Sequence, residues 1–197
     1  MRSLHAQLAV FICLLFASAS PVSAQACWED LFPITEQHLL EPDDRWPTWE
    51  ELEDSTRTMV LVSLGFVDTS GAALGRVDAY RIASCDVKDG HTVTAYYLNG
   101  HVDEHDDYVY LTSERDGTII SRVLVGQLQT SCDFTFLRAC IVGSPGTLTI
   151  AQLEHRFNCE TQEFVDTRSL PSLTVHLDSD GVFHEAVVEP PSTPIDE

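Results

Sequence analysis

The chain is almost without lysine. Lys88 is its only one, and 11 Lys+Arg stand against 31 Asp+Glu in 197 residues, a formal net charge of −20. A chain so acidic repels phosphate backbones and anionic lipid heads, which excludes DNA, RNA and polybasic membrane contact as partners. The acids run along the whole sequence rather than in one block. That pattern reads first as a hydrated carboxylate surface that maintains solubility. Its alternative is a face that docks on a basic protein, with an association weakened by salt. Catalytic signatures are missing too. There is no G-x-S-x-G, no H-E-x-x-H, no glycine-rich phosphate loop, no C-x-x-C and no D-x-D-x-D-G. Nothing in the spacing nominates a nucleophile or a general base. No repeat of fixed period argues for a propeller or solenoid.

Among what is present, the first residues are the most informative. Arg2 and His5 precede the apolar run Leu8–Phe16, and small residues follow to Ala24. This is the pattern of a signal peptide over 1–24, too short for a span of roughly 20 apolar residues. The expected location is therefore outside the cytosol, where cysteines oxidise. Cleavage after Ala24 gives a secreted protein. The alternative is an imperfect lipobox ending at Cys27, which would give a lipid-anchored one and the sole expected route to a membrane.

Without Cys13 the chain keeps Cys27, Cys85, Cys132, Cys140 and Cys159, an odd number. Lipidation of Cys27 would leave Cys85, Cys132, Cys140 and Cys159 for two bridges of undetermined connectivity. At least one bridge is expected to staple the region of Cys132, Cys140 and Cys159. The compartment favours disulfides over zinc for these thiols.

Residues 25–55 form an acidic segment carrying Trp28, Trp46 and Trp49. Its tryptophans are expected to pin it to the body of the protein rather than to form an exposed aromatic platform. Thr48 and Glu51 fit a capping box, predicting a short helix over 49–54. A single β domain is expected over 56–189. Met59–Val67 is a continuous apolar run, read as a strand buried on both faces. Strands are expected over 76–87, 92–98, 108–113, 118–128, 147–157, 172–178 and 182–188, with 134–142 the most ambiguous. Asp-Gly pairs at 89–90, 116–117 and 180–181 mark hairpins, because both turn positions need positive φ. A two-residue turn at 180–181 would set His176 opposite Glu185. The proline-rich tail 190–197 is expected to be disordered. The fold class that follows is all-β: an antiparallel meander of about eight strands with a short N-terminal helix. It would form a sandwich or a partly closed barrel.

The densest cluster of ionisable groups is His101, Asp103, Glu104, His105, Asp106 and Asp107. Calcium would take the carboxylates and zinc or copper the imidazoles. The competing reading is a solvated loop. A tight turn at Asn99-Gly100 would fold residues 101–104 back on 95–98 and weaken a shared site. Asp178-Ser-Asp-Gly181 begins like a calcium loop but reads better as a hairpin turn. The functional expectation is a non-catalytic binding or structural module of the envelope or extracellular space, with a protein or carbohydrate partner and no cofactor. The alternatives are a calcium- or zinc-binding protein or metal-dependent hydrolase using residues 101–107, and an acidic inhibitor-like domain.

Overall fold

The computed structural model describes residues 49–66, 77–87, 90–102, 104–142 and 147–188. The signal segment, Cys27, Trp28, Trp46, Thr48, Asp103 and the tail 190–197 lie outside the described residues. Among the described residues nine strands form one antiparallel sheet in strict sequence order: β1 (Glu50–Glu51), β2 (Val77–Asp86), β3 (Thr92–Val102), β4 (Glu104–Arg115), β5 (Thr118–Thr130), β6 (Phe134–Val142), β7 (Thr147–Phe157), β8 (Phe164–Leu177) and β9 (Phe183–Val188). The helix α1 (Asp54–Leu64) interrupts the series after β1. The fold is thus an all-β meander with one short helix, and the sheet is not closed.

Turn chemistry sets the hairpins. Asp116 and Gly117 have φ of 52° and 73°, and Arg115 pairs with Thr118, which makes a two-residue turn of the kind that matches strand twist. At the β2–β3 connection the Val87 amide donates to the His91 carbonyl at 2.8 Å. Asn99-Gly100 is not a turn. β3 continues to Val102 and pairs with β4 as far as Val102–Glu104, so the strand runs through both residues. The longer strand wins because Asn99 and Gly100 both find ladder partners, in Asp107 and Asp106.

Two further expectations are corrected. The short helix over 49–54 is not found: Glu50 and Glu51 pair with Arg81 and Tyr80, and the Glu50 carboxylate reaches the Arg81 guanidinium at 3.0 Å. The apolar run from Met59 is a helix, not a strand. Gly65 explains why. It takes φ of 86°, its amide donates to Val62 O, and the Phe66 amide donates to Leu61 O at 2.8 Å. That pair of bonds closes a helix end in a Schellman motif, and glycine enters the left-handed region without a Cβ penalty.

Two apolar layers cover the sheet. On one face Val60, Leu61 and Leu64 of α1 pack with Leu52, Ala79, Tyr96 and Leu98. On the other face Val93, Ala95, Tyr97, Val109, Leu111, Val123 and Val125 meet Leu148, Ile150, Val175 and Phe183. β3 alternates between the two layers, so the strand is buried on both sides. The second layer joins β3–β5 to β7–β9, which requires the sheet to curl. The Phe183 amide of β9 donates to Ser121 Oγ of β5 at 3.0 Å, across the opening.

Candidate functional site

The acidic cluster lies at the distal end of the β3–β4 hairpin. Pairing sets Asn99 against Asp107, Gly100 against Asp106, His101 against His105 and Val102 against Glu104. Asp107 is buried and accepts from the Tyr97 hydroxyl at 2.8 Å and the Asn99 amide at 2.7 Å. Trp49 packs at a tilt of 50° against the same Tyr97 with ring centroids 4.8 Å apart, and also meets Tyr80. Asp106 belongs to the opposite face. It accepts from the Tyr108 hydroxyl at 3.2 Å, and its Oδ1 is buried without a hydrogen-bond partner among the described residues. Burial and these carboxylates raise the phenol of Tyr108 to about 12 and drive that of Tyr97 upward too, with the Asn99 amide opposing at Tyr97. The structure therefore brings His101 and His105 to paired backbone positions, and assigns Asp106 and Asp107 to separate networks on alternate faces.

A second assembly occupies the far end of β6, β7 and β8. Cys132 and Cys159 form a disulfide that joins the residues before β6 to those after β7, with Cα atoms 5.0 Å apart. Asp133 lies beside these sulfurs, but oxidised sulfur offers no thiolate to a metal, and one carboxylate remains. Cys85 is also disulfide-bonded, to a partner outside the described residues. Cys140 is a free thiol, which corrects its place among the bridge candidates. It lies in β6, packed against the second apolar layer, where no second cysteine among the described residues reaches it; burial pushes its thiol up to about 12. Beyond the staple, Asn158 Oδ1 accepts from the Glu160 and Thr161 amides and shapes the β7–β8 turn. β8 starts at Phe164, well before the expected strand, and its first half stands in solvent. Phe164 is 59% exposed and Val165 56%. Phe164 meets Phe157 edge-on at 6.1 Å and His155 at 6.5 Å, while His155 Nδ1 is 2.8 Å from Thr167 Oγ1. Arg156, Asp166, Arg168 and Glu154 form a loose ion-pair ladder beside them.

A third feature had no signal in the sequence. His91, just after the β2–β3 turn, is only 2% exposed. The Arg115 guanidinium donates to its Nε2, so Nδ1 carries the proton. His91 Nδ1 and Ser113 Oγ are buried without hydrogen-bond partners among the described residues. Gly181, at φ of 79°, lies directly over the imidazole, and a Cβ there would stand 2.4 Å from the ring and 2.9 Å from Ser113 Oγ. Serine and histidine are close, but both are sealed from solvent, so this is a packing feature that seats the 178–182 loop rather than a nucleophile open to substrate.

Comparison with protein-family models, with curated proteins and with solved structures finds no match to this chain. Function must come from the sites themselves.

Proposed function

We propose that the protein is a secreted or surface-anchored, non-catalytic module that binds a protein partner in the envelope or extracellular space. The reading is carried by the disulfide-stapled end of β6–β8. There Phe164 and Val165 are exposed while both apolar layers of the fold are completed elsewhere. Large apolar groups held in solvent by a covalent staple are characteristic of recognition surfaces. The surrounding acidic charge supplies a polar rim and favours a basic partner. The test is capture from an extracytoplasmic extract by the immobilised protein and by Phe164→Asp/Val165→Asp at equal melting temperature. A species held by the wild type and released by the double variant supports the reading. Equal retention by both, or by neither, overturns it.

A second reading, divalent-metal binding at the β3–β4 tip, is supported by the register that sets His101 opposite His105. It expects zinc to raise the melting temperature by mass action. The double variant His101→Ala/His105→Ala would abolish that rise.

A further inference from the structure

The β8–β9 hairpin carries another pair of histidines. The strands are joined by a five-residue connection, Asp178 to Val182, so His176 falls opposite His184 and not Glu185. The difference arises because Asp178 closes a wider loop: its Oδ1 accepts from the Asp180 amide at 2.9 Å and the Val182 amide at 2.8 Å. Leu177 then pairs with Phe183, and the two imidazoles come face to face with centroids 5.0 Å apart and planes inclined by 20°. The second carboxylate oxygen of Asp178, Oδ2, lies 2.7 Å from His184 Nε2. Both rings are exposed.

This arrangement has the parts of a metal site. With Nε2–H donated to Asp178, the other ring nitrogen of His184, Nδ1, is the one left for a metal. A carboxylate on the far nitrogen of a ligating imidazole fixes its tautomer and strengthens it as a ligand. His176 has no hydrogen-bond partner among the described residues. His184 is held by Asp178, so the exposed His176 ring is the one free to turn, and a shared ion with metal–nitrogen bonds of about 2.0–2.1 Å requires it to bring a nitrogen to roughly 3 Å from that of His184.

We infer that His176 and His184 bind a divalent d-block cation, zinc or copper(II), with Asp178 as the orienting carboxylate of His184. Water completes the coordination, so the site binds rather than encloses its ion. Copper(II) binds more tightly than zinc, as the Irving–Williams order requires. Calcium and magnesium, which require oxygen ligands, do not compete. This inference stands apart from partner docking and from the β3–β4 tip, because it uses different residues and a different probe.

The test is titration of the full, untagged chain with copper(II) or zinc alone, followed by calorimetry and by the histidine ring signals in NMR. One equivalent is expected to disappear in His176→Gln and in His184→Gln. The same equivalent must persist in His101→Ala/His105→Ala. Asp178→Asn is expected to weaken it roughly 10–100-fold while leaving the stoichiometry unchanged. Sub-stoichiometric copper(II) must broaden the His176 and His184 rings of the wild-type chain first, a readout that needs no variant to fold. Unchanged stoichiometry in both glutamine variants, or broadening that begins at other histidines, overturns the inference.

Discussion

Single residues decide how the 178–182 loop and the sheet fit together. Gly181 has neither the backbone conformation nor the space for a side chain: its φ is 79° and the His91 ring fills the Cβ position. Gly181→Ala therefore strains the turn and displaces a buried imidazole. We expect a loss of about 2 kcal/mol or more in urea unfolding. The contrasting position is Gly90, where φ is 77° but a Cβ meets nothing within 4 Å, so alanine there is expected to cost the conformational part alone. Cys140 makes the second prediction at this scale. A thiol held near 12 carries almost no thiolate at pH 8. Native protein should leave Cys140 unmodified by iodoacetamide, and urea should expose it to full alkylation. Rapid labelling of the native chain at Cys140 would contradict the burial assigned to it.

Elements were legible in the sequence to the degree that local chemistry specified them. Thr147–Phe157 coincides with the span the sequence predicts, because Gly143-Ser-Pro-Gly146 precedes it. Leu173, Val175 and Leu177 alternate along β8 and pack together on the second apolar layer. The run from Met59 misled because periodicity cannot separate a buried strand from a buried helix when apolar residues are continuous. The deciding residue was Gly65, whose role as a helix stop is visible only once its neighbours' amides are placed. The acidic cluster belongs to β3 and β4, and its division between two faces depends on the register of that hairpin, because a slip of one residue moves every side chain to the other face. The aromatic end of β8 and the packing of Gly181 on His91 rest on long-range neighbours, which no local pattern encodes. The staple gives the prediction that belongs here. Cys132 and Cys159 close a loop of 27 residues, so Cys132→Ser/Cys159→Ser is expected to lower stability by about 3 kcal/mol. The effect should appear in urea unfolding, and Phe164 and Val165 should gain amide exchange ahead of β3 and β4.

The whole molecule combines an excess of carboxylates with tyrosines buried among them. Burial, then Glu114, raise the phenol of Tyr96 to about 12; burial, then Asp106, do the same for Tyr108. The sign follows from linkage. An unfolded tyrosine ionises near 10, the folded ones resist, and so their contribution is complete below pH 10 and is lost as pH rises toward 12. Melting temperature should fall steeply across that window, with the phenolate absorbance rising only as the protein unfolds. Tyr108→Phe should soften the fall. A smooth titration of all tyrosines near pH 10 without unfolding would refute the burial of these two.

The strict neighbour-to-neighbour order of the nine strands also bears on how the chain comes together in time. Each strand needs only the one just before it, so ordering can begin while the later part of the chain is still emerging from a ribosome or a translocation pore. Low sequence separation between partners makes such assembly quick and limits the time during which strand edges stand open. Contacts between distant parts of the chain wait for later arrivals: the Cys132–Cys159 bridge, the packing of β3–β5 against β7–β9, the seat of Gly181 against His91 and the return of Phe183 to Ser121. The last hairpin thus completes the second apolar layer while the sheet itself stays open, and a chain stopped short of β9 should hold its hairpins but leave that layer exposed to water.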